Sequence, residues 1–312
     1  MGDPGESSCW RRHAGRDLRG WAVVSAIEAV GRWLSLVKFS HSIFALPFAL
    51  MALLIASGGA PSLRLLLLVI LASVFARTAA MAFNRWADRD IDAQNPRTQG
   101  REIPSGQLSA RAVLAMTVLA SGGFVLCAWA LAPICLYLSP IVLIVLLGYS
   151  YTKRFTWACH LVLGLALGLA PMGAWIAAKA SLEGSLAVPF YLALAVLSWV
   201  AGFDVIYSLQ DDDFDRGLGL HSIPERFGRW GALILSALLH LVTLLFFVLT
   251  GLAAGLGVFY WVGVGLSGAL LVWQHTLIRP SDLSRVGAAF FTANGLLSLV
   301  LALLTGLDLC LR

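Results

Sequence analysis

Asn84, Asp88 and Asp92 recur at i, i+4 and i+8 within FNRWADRDIDAQNPRT, residues 83–98, directly after a long and almost uncharged run. On a continuing helix this spacing stacks three oxygen-bearing side chains along one face, about 6 Å apart. A second stretch, AGFDVIYSLQDDDFDRG at residues 201–217, places Asp204, Tyr207, Asp211 and Asp215 at i, i+3, i+7 and i+11, again one helical stripe. Like charges so arranged repel, and an Asp at the centre of a spanning helix costs roughly 2.5–3.5 kcal/mol on insertion scales. Such acids require a wet cavity or neutralising cations. An all-oxygen set without nearby Cys or His favours a hard ion, and Mg²⁺ commonly takes one or two carboxylates together with phosphate oxygens and water. Two facing carboxylate helices are therefore suited to two Mg²⁺ around a diphosphate. Asp90, Asp212 and Asp213 fall off the stripes and read as solvated loop acids.

Short basic segments follow each acidic one. NPRTQGREIPSG carries Arg97 and Arg101, YSYTKRFT carries Lys153 and Arg154, and LHSIPERFG carries Ser222 and Arg226. Arginine offers phosphate a two-pronged donor and lysine a mobile point charge, so these residues are candidates for gripping the diphosphate. Arg77 lies inside an apolar run two turns before Asn84. A charge there is a functional candidate by default, either holding the carboxylate of an aromatic acid or pairing with one of the aspartates.

The elements that must position these groups are membrane helices. The chain of 312 residues is 59% hydrophobic and 12% charged, with a mean hydropathy of +0.83, which excludes a soluble globular domain. With about 20 apolar residues needed per crossing, nine spans are predicted near 40–57, 64–83, 112–131, 133–150, 158–178, 187–207, 231–252, 254–274 and 286–307. The expected fold is all-α, one intramembrane domain over 34–312 preceded by a basic tail at 1–33. This count puts most arginines and lysines, including Lys38, Arg85, Arg111, Arg229 and Arg285, on one side and only Arg64, Lys179 and Arg312 on the other. The positive-inside rule makes the first side cytoplasmic, with the N-terminus and both acidic stripes. The tail contains Asp3, Glu6 and Asp17, against the acid-poor composition of a transit peptide. Five scattered cysteines without CxxC spacing suggest neither a disulfide framework nor zinc. His160, His221, His240 and His275 lack metal-ligand spacing and read as structural, and Gly164 and Gly168 read as sites of close helix packing. The partners implied are lipid and small molecules; neither nucleic acid nor an obligatory protein partner is called for.

NRWADRDID resembles the NxxxDxxxD motif, and DVIYSLQDDDFD the DxxYxxxDxxxD motif, of the UbiA-type intramembrane aromatic prenyltransferases typified by 4-hydroxybenzoate polyprenyltransferase. YSYTKRFT and HSIPERFG are similar to two further segments of that family, and the likeness runs from about Lys38 to the last helix. The resemblance implies nine helices around a central cavity open laterally to lipid. It implies that Asn84, Asp88 and Asp92 hold one Mg²⁺ and Asp211 and Asp215 another, that Lys153 and Arg154 meet the diphosphate, and that Asp204 and Tyr207 lie near the ring-binding end. The implied reaction moves a polyprenyl group from an isoprenyl diphosphate to a ring carbon of 4-hydroxybenzoate or a similar acid, in quinone (ubiquinone or menaquinone) biosynthesis at a bacterial inner membrane. Phe83, Trp86, Tyr149 and Phe203 are candidates for shielding an allylic cation. Near the first span the chain reads KFSHSIFALPF instead of the Pro-Ile-Gly-Thr element of the ubiquinone branch. Lys38, His41 and Ser42 are thus expected at the acceptor, and a dihydroxynaphthoate prenyltransferase of the futalosine route to menaquinone is an alternative. A cation-coupled transporter is the rival from another class, though transporters place their sites on broken helices at the bilayer midplane.

Overall fold

The structure is a computed structural model in which residues 31–33, 35–36 and 44–312 are described. Most of the basic tail, and Lys38, His41 and Ser42, lie outside the described residues. The described chain is helical, apart from one isolated bridge between Arg279 and Asp282. In order the helices are α1 (Leu46–Ala56), α2 (Leu63–Ala87), α3 (Arg89–Gln94), α4 (Ala110–Leu131), α5 (Pro133–Thr152), α6 (Cys159–Lys179), α7 (Ala187–Ser208), α8 (Asp212–Leu218), α9 (Ile223–Ala253), α10 (Val258–Thr276) and α11 (Val286–Cys310).

Among the described residues seven helices are long and apolar enough to cross a bilayer, namely α2, α4, α5, α6, α7, α9 and α11. The first and eighth expected spans correspond to α1, with 11 residues, and α10, with 19 residues and Gln274 and His275 in its last turn. The chain is a multi-pass membrane protein. Its helices begin where local chemistry directs. The Ser62 and Ser109 hydroxyls accept from the amides of Leu65 and Ala112 at the starts of α2 and α4. Extended Ala132 (φ −164°, ψ 155°) followed by Pro133 separates α4 from α5. The seventh span starts earlier than its apolar run, because Ile223–Arg226 already form a turn capped by Ser222; Gly228, at φ 69° and ψ 172°, then bends the chain into the membrane portion of α9.

Helix α7 is the centre of the assembly, with 61% of its apolar window buried against 17% for α5. It packs on α6 and α9, while α1 bridges α6 and α11. The close approach of α6 to α7 needs small residues: a Cβ on Gly164 would stand 2.3 Å from the Leu197 carbonyl oxygen, and one on Gly168 2.7 Å from that of Ala193. On its other side α7 joins an aromatic core of Phe44, Phe48, Trp199, Phe203, Phe247 and Phe290. In α11 a π turn at Ala289–Ala293 disturbs the backbone ladder. Asn294 compensates by donating to the carbonyls of Ala289 and Phe290 while its Oδ1 accepts from Trp199 Nε1 at 2.8 Å.

A cavity of about 440 Å³ remains, walled by α1, α2, α4, α5 and α6. Its lining is almost wholly apolar, with Arg77, Tyr149, Ser73 and Ser139 as the polar exceptions.

Candidate active site

The first acidic stripe forms because helical pitch continues past the end of α2. The amide of Asp88 bonds to the Asn84 carbonyl at 2.9 Å and that of Asp92 to the Asp88 carbonyl at 2.8 Å, so α3 keeps the face of α2. Asn84 Nδ2 donates to Asp88 Oδ2 at 3.1 Å. Asp88 and Asp92 are each only 3% exposed. The second stripe passes through a tightened turn in which the Asp211 amide bonds to Ser208, then resumes as α8, where the Asp215 amide bonds to the Asp211 carbonyl at 2.7 Å.

Four cations interlock with these acids. Lys153 Nζ lies 2.7 Å from Asp88 Oδ2 and Arg154 3.3 Å from Asp88 Oδ1. Arg101 Nη1 meets both oxygens of Asp92 at 2.7 and 2.8 Å. Arg97 Nε donates to Asp211 Oδ1 at 2.8 Å, its Nη2 to Asp211 Oδ2, and its Nη1 to the Tyr207 hydroxyl at 3.1 Å. The loop after the first stripe is thereby joined to the second, and the two acidic helix ends share one vestibule. The Lys153 carbonyl also accepts from the His221 amide at 2.7 Å, which draws the segments after α5 and α8 together.

Asp215 pairs with no cation within ion-pair distance among the described residues. Burial, and then the charge of Asp211, push its carboxyl up from 3.8 to about 6, with Lys153 and the Ser222 hydroxyl opposing the shift. Two crowded carboxylates short of positive charge have the chemistry of a divalent-cation site. Among the described residues no three His, Cys, Asp or Glu side chains converge on one point as a ligand cluster. That still suits Mg²⁺, which needs only one or two carboxylates when phosphate and water complete its shell.

The other sequence candidates separate by position. Arg77 lines the apolar cavity from α2, as does Tyr149 from α5. Phe203 is 2% exposed and packs 5.0 Å from Trp199 and 5.2 Å from Phe290, so it serves the core. Phe83 lies against Trp86 and Tyr151. Ser222 is buried at the start of α9, while Arg226 is exposed on that turn and pairs with no acid among the described residues. Asp90 and Asp213 are exposed as expected, with side chains 79% and 87% accessible. Asp212 is not solvated: it is 3% exposed and clamped between Arg216 and Arg229, because α8 turns it inward beneath the α9 bend.

Two residues were missed. Asn95 donates to Asp211 Oδ1 at 2.9 Å and accepts the Arg97 amide at 2.9 Å, shaping the loop that delivers Arg97. Its signal was the Asn-Pro pair, a turn initiator. His160 lies 2.7 Å from Asp204 across α6 and α7, and no spacing announces a contact between residues 44 positions apart.

Comparison with known proteins gives the family. Residues 45–298 match the model of the UbiA prenyltransferase family. A 4-hydroxybenzoate octaprenyltransferase of Vibrio cholerae is 32% identical over 274 residues, covering 87% of this chain and 95% of that protein. One from Vibrio vulnificus is 36% identical over 255 residues, covering 81% and 88%. The apo structure of a UbiA homolog from Aeropyrum pernix K1 superposes with a TM-score of 0.75 at 34% identity, covering 87% of this chain and 97% of that one. A UbiA homolog from Archaeoglobus fulgidus, solved with DMAPP and Mg²⁺, shares the fold with a TM-score of 0.70 at 18% identity, covering 90% and 100%. The chain belongs to the UbiA prenyltransferase family, whose members include these enzymes of polyprenyl transfer.

Proposed function

We propose that this protein transfers a polyprenyl group from an isoprenyl diphosphate to a ring carbon of 4-hydroxybenzoate, with Mg²⁺, in quinone biosynthesis. Residues 34–312 act as one intramembrane domain, with the site facing the cytoplasm across a bacterial plasma membrane. The observation that carries this reading is the Arg97–Asp211 ion pair, which brings a phosphate-type cation from one acidic motif onto the acid of the other. The names of the relatives favour 4-hydroxybenzoate over dihydroxynaphthoate as acceptor.

Asn84, Asp88 and Asp92 would hold one Mg²⁺ and Asp211 and Asp215 the other. Metal held there would supply positive charge to neutralise the diphosphate as it departs. Lys153, Arg154, Arg97 and Arg101 exchange their carboxylates for phosphate oxygens when donor and metal arrive together. The isoprenyl tail enters the apolar cavity, where Tyr149 offers a ring face to the allylic carbon. Its apolar lining offers water few partners, which would help protect the carbocation from hydrolysis. The allylic C–O bond breaks with its electron pair going to diphosphate. The ring carbon ortho to the acceptor hydroxyl forms the new C–C bond, and its proton passes to Asp204, 23% accessible at the membrane end of the second stripe. Arg77 supplies a positive charge in the cavity wall toward the acceptor carboxylate.

Purified protein incubated with geranyl diphosphate, 4-hydroxybenzoate, dihydroxynaphthoate and Mg²⁺ tests this by mass spectrometry of the products. Ring-prenylated 4-hydroxybenzoate that disappears in excess chelator is the expected result. Prenylated naphthoate alone would reassign the acceptor, and equal turnover with chelator would remove the metal from the reaction.

A further inference from the structure

His160 is 3% exposed and stands outside both acidic motifs. Its Nδ1 lies 2.7 Å from Asp204 Oδ2, and its Nε2 lies 3.3 Å from the backbone amide of Ile223, the first residue of α9. A peptide N–H can only donate, so Nε2 is the acceptor and carries no proton. The ring proton therefore sits on Nδ1 and is donated to the carboxylate. One imidazole thus bonds a carboxylate from α7 and the opening amide of α9, whose first amides have no partner within their own helix.

We propose that His160 is a positioning residue for Asp204, holding it as an ionised acceptor with Oδ2 engaged and Oδ1 turned to the aromatic acceptor. This rests on the assignment of Asp204 to the acceptor made above. The wiring around His160 explains why the orientation matters to the rest of the site. Ile223 follows Ser222, whose hydroxyl hydrogen-bonds the Asp215 carboxylate, and the His221 amide donates to the Lys153 carbonyl, while Cys159 Sγ lies 3.5 Å from the His221 carbonyl. The segment between α8 and α9 is therefore stitched to the start of α6, and among the described residues His160 is the stitch that continues to Asp204. A carboxylate that must receive a ring proton works only if its free lone pair is aimed at that carbon, and partners that aim such groups commonly matter by roughly 10- to 100-fold.

Two amide substitutions divide the two bonds. In His160→Asn the side-chain amide reaches the place of Nδ1 and keeps a donor for Asp204; in His160→Gln it reaches the place of Nε2 and keeps an acceptor for Ile223. His160→Gln and His160→Ala are expected to lower kcat by roughly 10- to 100-fold and raise the acceptor KM, with the donor KM within about 2-fold of wild type. His160→Asn should recover most of kcat. Recovery by Gln but not Asn would show that the imidazole merely anchors α9 and would overturn the proposal, as would wild-type kinetics in all three variants. A second measurement is independent of turnover: ¹⁵N imidazole NMR of labelled protein, with His160 assigned by its loss in His160→Asn. A neutral ring with its proton on Nδ1, shifted by Asp204→Asn, is expected; a proton on Nε2 would sink the proposal even in an active enzyme. If wild-type protein prenylates no aromatic acceptor but the ring shows the Nδ1 tautomer coupled to Asp204, it is the acceptor assignment that fails, and the claimed role in aiming Asp204 at an acceptor falls with it.

Discussion

Arg97 and Asp211, 114 positions apart, form a two-pronged ion pair, with Arg97 Nε 2.8 Å from Asp211 Oδ1 and the guanidinium 5.3 Å above the Tyr207 ring. The pair latches the first acidic motif to the second. On the proposed function, it also holds on a carboxylate the cation that a diphosphate would claim, so that donor and metal would bind by one exchange of partners.

Arg97→Lys keeps the charge but loses the planar fork. We expect the donor KM to rise about 10-fold, equivalent to ~1.4 kcal/mol, with a smaller change in acceptor KM. Steady-state kinetics against each substrate checks this, and an unchanged donor KM would place Arg97 outside the phosphate site.

Asp88→Ala and Asp211→Ala each remove a carboxylate that meets a cation in the vestibule. Losses of roughly 10²–10³-fold in kcat are expected, the size usual for a group that stabilises charge in the transition state. Size-exclusion profiles should match wild type, which separates lost chemistry from lost folding. A rate near wild type in either variant removes that residue from the metal site.

Asp215→Asn should separate stability from activity. Folded Asp215 titrates near 6, above its ordinary 3.8, so the folded protein holds the proton more tightly and the carboxylate weakens the fold as pH rises through that interval. Above that range the substitution relieves burial of charge and repulsion from Asp211. It should stabilise metal-free protein by on the order of 1 kcal/mol once solvent screening is allowed for, while prenyl transfer falls. A lower Tm than wild type at pH 8 would contradict this.

Gly164→Ala places a methyl 2.3 Å from a backbone oxygen of α7, which cannot swing aside. A destabilisation of about 1–3 kcal/mol is expected. Thermal unfolding in detergent measures it, with Gly173→Ala, whose added methyl meets nothing within 4 Å, as the control.

Asn294→Leu removes the acceptor of the Trp199 indole N–H and the side-chain donor to the Ala289 carbonyl in an apolar interior. A cost of about 1–3 kcal/mol is expected. Trp fluorescence should report the change, and an unaltered Tm would show that the π turn needs no such support.

The helical class, the division at Ala132-Pro133 and both carboxylate stripes were legible in sequence because each depends on neighbours within a few turns. Apolar run length sets a membrane helix, and a spacing of three or four sets a face. The early start of α9 was not legible, since its first turn is polar and owes its form to the Ser222 cap and the bend at Gly228. Only the tertiary structure decided that Phe203 belongs to the core rather than the cavity, that Asp212 is clamped between Arg216 and Arg229 beneath the α9 bend, and that Asn95 and His160 meet Asp211 and Asp204. Each of those depends on which helices are neighbours, and helix packing is settled by contacts between residues far apart in the chain, such as Gly164 on Leu197 or Arg97 on Asp211. Local periodicity carries a residue's face but not its partner, so the sequence determined which acids share a face and the fold decided which side chains meet them.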